Sequence, residues 1–336
     1  MHFAFDDQQR SMQEAVRALL TRECSPAAVR AEWEGAPRPA QRWQKLAEMG
    51  ATGLLIPEQH GGMGLDEIDM ALLLEETGRF ALPDPLVDTA LVAAPLLRDL
   101  APPPLQDHWL PAIAAGTARI AVGLRDLGPY VTDADTADLL LLEHDGVVHA
   151  VAPQDVRMVQ QASLDAGRRC FSIEWTPQPS TALGSQAHCD AAVDRATFGV
   201  AAQLLGLGDR MVEMAAEHAR SREQFGRPIG SFQAVKHLLA NALLGLEFAR
   251  PAVYRAAWSV ARNTRDRARD VSAAKVAASN AALAAGRAAL QIHGAIGYTW
   301  AHDLHIWMKR AAVLANGSGG IAWHRERVAT SLLGPM

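Results

Sequence analysis

Between Val271 and His293 the chain places ten alanines, from Ala273 and Ala274 through to Ala288 and Ala289, with few bulky residues among them. A helix of that composition leaves little side chain between its axis and its neighbours, so it packs closely against other helices. The surrounding sequence supplies those neighbours. Phe198, Ala201, Ala202, Leu205, Gly208 and Val212 recur at spacings of three and four in a helical segment running from Asp190 to about Arg222. Val235, Leu239 and Leu246 mark another from Phe232 to about Arg262. A further helix through Leu304 to Ala312 runs into Asn316-Gly317-Ser318-Gly319-Gly320, a glycine-rich break before a last helix near Ile321. Breaks of this kind often line active sites.

The N-terminal third is helical too. Met12, Val16, Leu19 and Leu20 repeat with helical period up to about Glu23, with Asp6 or Asp7 available as N-cap. A second helix runs from about Gln41 to Met49 and ends at Gly50; the loop Pro57 to Gly64 then precedes an apolar helix from Ile68 to Phe80. In that helix Glu75 and Glu76 are adjacent and so point about 100° apart; they read as a solvated face with Arg79 as a partner. Proline-rich stretches at Leu82 to Pro85 and Ala101 to Pro104 punctuate two more helices, and the unit closes near Gly116. The pattern then changes to short apolar runs, Ile120 to Gly123, Leu139 to Leu142 and Val147 to Val151, with Asp145-Gly146 as a hairpin dipeptide. These are strand signals.

With 336 residues, 49% hydrophobic and 21% charged, the chain can bury a substantial core in two or three units. A net charge of -5, with acids and bases interleaved, argues against a nucleic-acid footprint. Cys24, Cys170 and Cys189 are odd in number and lack CxxC spacing, so neither a disulfide framework nor a zinc site is expected. The N-terminus, Met1 to Asp7, has neither a basic nor an apolar leader region, and no segment has the length of a membrane span. A soluble, cytoplasmic protein without metal, nucleic-acid or membrane partners is expected.

The stretch Arg222-Glu223-Gln224-Phe225-Gly226-Arg227-Pro228-Ile229, followed by Phe232-Gln233, resembles the acyl-CoA dehydrogenase family of flavoenzymes, as does Gln291-Ile292-His293-Gly294-Ala295-Ile296-Gly297-Tyr298. Pro57 to Gly64 and Trp109 to Gly116 resemble the family's N-terminal domain, so the likeness covers nearly the whole chain apart from a shortened middle. It implies an α+β, mainly α fold. An N-terminal helical domain would span residues 1–116, a shortened β domain 117–186, and a C-terminal four-helix bundle, which also builds the dimer face, 187–336. It implies FAD as cofactor and an acyl-CoA thioester as substrate. By the same resemblance Arg222 and Gln233 contact the pyrophosphate and ribose of FAD, a guanidinium giving paired donors and an amide both donating and accepting. Phe225 stacks near the adenosine, while Gln291, Gly294 and Gly297 meet the adenine-ribose end of a neighbouring subunit's cofactor.

Family members usually carry a catalytic glutamate in the glycine-rich break. Counting without gaps from Gln291 puts Ser318 at that place, and a two-residue shift puts Asn316 there; no Asp or Glu lies between Asp303 and Glu326. Neither an amide nor a hydroxyl is a base strong enough to take the α proton of a thioester near neutral pH. Some members carry the base on the helix that begins near Asp190, where Ala196 stands in its place. Asp194, two residues away, reads as a cap or dipole partner and otherwise as a displaced base. Members that hold flavin also place an acidic-Ala-Gly-Ser-Asp loop and a Trp-x-Thr strand against the isoalloxazine and its N5 edge. Here Gly123 passes to Tyr130 with neither, and Thr132 is a remnant of the second motif or simply a β-former. His237 and His293 lack an obvious carboxylate partner and receive no catalytic role.

Three readings follow. The chain is the short, base-lacking subunit of a heteromeric acyl-CoA dehydrogenase of the kind acting on steroid-derived CoA thioesters, completing the FAD site of a longer homologous partner. Alternatively it is a self-sufficient dehydrogenase with its base displaced to Asp194, or a scaffold that binds no FAD. The first reading joins the retained FAD-reaching residues to the missing acid and the shortened flavin domain.

Overall fold

The computed structural model describes residues 4–334, so Met1 to Phe3, where the N-terminal reading begins, lie outside the described residues. Helix α1 (Asp7–Glu23) starts where the Asp6 carboxylate accepts from the Gln9 N–H and the Gln9 side chain reciprocates, a capping box that satisfies two otherwise orphaned donors. A helix that the periodicity does not announce follows, α2 (Pro26–Trp33). Ser25 caps it, Pro26 opens it, and only Val29 is buried along it, which leaves no apolar stripe to read. Helices α3 (Ala40–Glu48) and α4 (Glu67–Arg79) come next. A π-helical stretch, Val87–Ala93, then runs straight into α5 (Ala94–Leu100), and α6 (Pro103–Ala114) ends the helical run.

Glu75 and Glu76 do not form a solvated face. They are 5% and 2% exposed and meet arginines from other helices, Arg250 at 2.6 Å and Arg17 at 2.6 Å, while Arg79 pairs with Glu213. Burial raises the Glu75 carboxyl to about 7 even so. The face turned inward because α4 is sandwiched between α1 and the C-terminal helices.

Strands β1 (Ile120–Gly123), β2 (Val131–Thr132), β3 (Leu139–His144), β4 (Val147–Val151), β5 (Arg157–Gln161) and β6 (Cys170–Glu174) form two small sheets, ordered β1-β3-β4 and β2-β6-β5. The β3-β4 hairpin turns at Asp145 and Gly146, with φ of +48° and +77°, the pair of left-handed residues a tight hairpin demands. Strands β5 and β6 carry no clear apolar run: three of the five β5 residues face solvent, and in β6 only Phe171 is buried.

The chain then enters α7 (Gln186–Ser221), a two-strand hairpin of β7 (Glu223–Gln224) and β8 (Arg227–Pro228), and α8 (Gln233–Ala261). Helices α9 (Arg267–His293), α10 (Leu304–Asn316) and α11 (Ile321–Leu333) complete it. Most of the α9 alanines are buried, and α9 packs along both α7 and α8. No helix among the described residues is long and apolar enough to cross a membrane.

The tightest joint lies between α4 and α7. A Cβ at Gly206 would stand 1.8 Å from the Glu75 carbonyl oxygen, and one at Gly78 would stand 2.0 Å from that of Gln203. Both clashes are with backbone, which cannot rotate aside. Gly206→Ala is therefore expected to destabilise the chain by about 3 kcal/mol or more, read as a lowered midpoint in urea unfolding, whereas Gly245→Ala, whose nearest contact is 3.8 Å, should be near neutral.

Candidate active-site cleft and outer surface

A cavity of about 510 Å³ lies where the three parts of the chain meet. Its walls are the segment Leu82 to Asp88, the turn from Arg125 to Tyr130 with Thr132, residues Ala196 and Val200 of α7, and the break Asn316 to Gly320.

The break is held from beneath. Lys275, fully buried on α9, donates from Nζ to the carbonyls of Ala315, Gly317 and Gly319 at 3.2, 3.0 and 3.2 Å. No acid accompanies it, and burial lowers its ammonium to about 8. His324, also buried and lowered to about 4, contacts the Ser318 carbonyl at 2.8 Å through Nε2 and Ser272 Oγ at 3.1 Å through Nδ1. The neutral tautomer with the proton on Nε2 satisfies both contacts, since that nitrogen donates to the carbonyl and the other accepts from the serine hydroxyl. Ser318 itself takes φ +52°, its N–H donates to Leu127 O at 3.2 Å, and the Asn316 side chain donates to Ala312 O at 2.8 Å. The break is rigid, and its polar side chains offer no carboxylate.

Lys275→Met leaves those buried carbonyls unpaired and should cost about 1–3 kcal/mol. The Lys275 value in the folded chain is about 8, below the 10.5 of the free side chain, so the folded state releases this proton first. Stability owed to Lys275 should thus rise between about pH 8 and 10.5, and comparing unfolding of the two proteins across that window should find this slope missing in Lys275→Met.

The acids of the cavity wall are mostly spoken for. Asp84 receives Arg42 Nε at 2.5 Å, and Asp133 receives Arg38 at 2.7 Å. Asp88 differs. It accepts from Thr132 Oγ1 at 2.6 Å, has no ion pair among the described residues, and burial raises its carboxyl above the usual range. Nothing in the sequence singled out Asp88; its nearest signal is its place after the Pro-Asp-Pro stretch.

Asp194 lies elsewhere. The helix begins at Gln186, so Asp194 is an interior residue and not a cap. It is fully buried and bound by Arg267 Nε at 2.7 Å and Arg327 Nη2 at 2.9 Å. Two guanidinium partners make it a structural acceptor, while Ala196 and Val200 present α7 to the cavity. A displaced-base role would require this carboxylate to be free of both arginines.

The other candidates gather at the far end of the bundle. Arg222 ends α7, Phe225 and Gly226 form the tip of the β7-β8 hairpin at φ +53° and +76°, and Gln233 opens α8. The His218 ring, one helical turn before Arg222, stacks on His293 at 4.6 Å, and His293 stands two residues after Gln291, so both stretches meet at one end. Arg222, Gln233 and Gln291 are exposed, and their side chains have no hydrogen-bond partner among the described residues. Phe225 is 91% exposed, with Phe232 edge-on behind it at 6.1 Å. Gly294, at φ +62°, has open space where a Cβ would be, while Gly297 is buried against Leu290 and His293.

A helical domain, two small sheets and a helical bundle around one cleft define an acyl-CoA dehydrogenase-like oxidoreductase fold. Residues 6–117 match the family model for the acyl-CoA dehydrogenase N-terminal domain and residues 190–333 the one for its C-terminal domain. Acyl-CoA dehydrogenase IpdE2 of Mycobacterium tuberculosis is 33% identical over 314 residues, covering 91% of each chain. Among solved structures, the ChsE4-ChsE5 complex from Mycobacterium tuberculosis superposes with TM-score 0.90 at 25% identity over 100% of both chains. The Tcur3481-Tcur3483 steroid acyl-CoA dehydrogenase variant shares the fold, with TM-score 0.88 at 24% identity over 97% of this chain and 98% of its own. The chain belongs to the acyl-CoA dehydrogenase family, whose members use FAD.

The two regions differ in their fit to that cofactor. The outer surface offers an unpaired guanidinium, two free amides, an exposed ring and an open glycine, a donor set suited to phosphate, ribose and adenine. The cleft offers Thr132, whose one hydroxyl proton goes to Asp88, and a break with no acid, so its residues do not fit a flavin held at N5 in the way the resemblance implies.

Proposed function

We propose that this chain is the base-lacking subunit of a heteromeric acyl-CoA dehydrogenase and completes the FAD site of a longer homologous partner. The observation that carries the reading is the pairing of exposed, internally unpartnered Arg222, Gln233 and Gln291 with a rigid break that holds Ser318 and Asn316 where an acid is required. A chain of the ChsE4-ChsE5 complex, which joins two differently named proteins, has this fold and supports the same reading. A steroid-derived CoA thioester is the substrate class to test first, since the Tcur3481-Tcur3483 neighbour is a steroid enzyme.

When bound, FAD supplies the acceptor for the hydride that leaves the β carbon of the thioester, and the partner supplies the carboxylate that takes the α proton. The residues of this chain bind and orient. Arg222 would hold the pyrophosphate with its paired N–H donors, and Gln233 would hold the ribose. Phe225, carried out from the surface by the hairpin, would cover the adenosine and exclude water from that end. Gln291 and the open face of Gly294 admit the adenine-ribose end where a side chain would block it, and Gly297 keeps that turn close to His293. Asp194, between two arginines, holds α7, α9 and α11 together.

Expressed alone, the chain should show no dehydrogenation of acyl-CoA; a yellow, active homo-oligomer would sink the reading. In the purified complex with the longer partner, Arg222→Ala should weaken FAD retention about tenfold or more, measured as flavin absorbance per complex after gel filtration. Unchanged flavin content would favour a scaffold.

A further inference from the structure

We propose that Asp88 keeps flavin out of this chain's own cleft, by holding the Thr132 hydroxyl and filling the space before it, so that the chain serves the cofactor only across the subunit interface. The inference rests on the reading that the flavin belongs to the partner's cleft.

Threonine has one hydroxyl proton, and at 2.6 Å the Thr132 hydroxyl gives it to Asp88 Oδ2. Should the carboxyl take up a proton, the bond can reverse, yet the side chain still fills the same space. Neither partner is free to withdraw. Asp88 lies in the π-helical stretch Val87–Ala93, and the next residue, Thr89, is fully buried and locked to β1: its Oγ1 donates to the Ile120 carbonyl at 3.0 Å and accepts the Ile120 N–H at 3.1 Å. Thr132 is fixed by β2 pairing with β6, and the following Asp133 is pinned at φ +54° by its N–H to the Arg169 carbonyl at 2.8 Å and by Arg38 at 2.7 Å. The connection from β5 to β6 closes the same side. Its Asp165 is buried against Arg310, its Gly167 carbonyl accepts from Arg38 at 2.8 Å, and its Arg168 guanidinium stands at the cavity wall. The groups facing Asp88 are thus Thr132, the guanidinium of Arg168 and the paired Asp133; Arg168 attracts the carboxylate from the cavity wall but makes no ion pair with it, so the hydroxyl of Thr132 is its one hydrogen-bond partner among the described residues.

The test titrates the isolated chain with FAD alone, following quenching of flavin fluorescence, with thermal melts confirming that each variant is folded. Asp88→Ala should bind FAD about tenfold or more tightly than the wild-type chain, and the coupling of Asp88 to Thr132 predicts that adding Thr132→Val to the Asp88→Ala variant abolishes the gain. Asp88→Ser, shorter but polar, should gain in the same direction and serves if the alanine variant does not fold. A wild-type chain that already binds one FAD per chain, a folded variant with no gain, or a gain indifferent to Thr132→Val each overturns the proposal. Failure of the interface reading is distinguishable: Arg222→Ala would then leave the flavin content of the complex unchanged whatever the Asp88 variants do in isolation.

Discussion

Two backbones in contact set the rest of this molecule. Gly78 on α4 and Gly206 on α7 each lie against a carbonyl of the opposite helix, so at these two points the N-terminal domain and the bundle meet backbone to backbone. That closeness brings Glu75 and Glu76 into the interior and obliges Arg250 and Arg17 to follow, because a buried carboxylate without a cation is far costlier than a paired one. It also fixes the distance between the Leu82 to Asp88 segment and the end of α10, which are opposite walls of the cleft. Helix packing thus sets two walls of the cleft, and the turn from Arg125 to Tyr130 closes the third.

Within that frame, charged side chains do the joining. Arg310 on α10 reaches both Asp165, in the β5-β6 connection, and the Leu82 carbonyl at 2.8 Å, tying all three parts of the chain at one point. Asp194 performs a similar task with Arg267 and Arg327. Such contacts contribute modestly to stability when formed, because desolvation offsets attraction, but leave a costly orphan when one partner goes. They account for why acids that invite a catalytic reading turn out to be committed to structure.

The helices of the bundle were legible because their apolar and alanine positions repeat at helical spacing, and the glycine-rich break because glycines interrupt that repeat. Helix α2 was not, having one buried residue, nor were β5 and β6, which between them bury only Phe171. The absence of an acid between Asp303 and Glu326 could be counted directly. The Asp88 to Thr132 bond spans 44 positions and the Lys275 contacts with the break 40 or more, distances over which no local pattern carries information. The same holds for Asp194, whose arginines stand 73 and 133 positions away; only the folded chain separates a buried anchor from a base.

Lys275 has a consequence for the cleft. An acid returned to position 318 would have to adopt a left-handed backbone, above a buried ammonium that accepts no other anion, and opposite a carboxylate at Asp88. Ser318 already takes that backbone, so the other two conditions decide: the ammonium would favour the ionised, less basic form of the new acid, and the Asp88 carboxylate would repel it. A carboxylate placed at position 318 alone would thus enter a wall whose cation is already committed to three carbonyls and whose own acid opposes a second one.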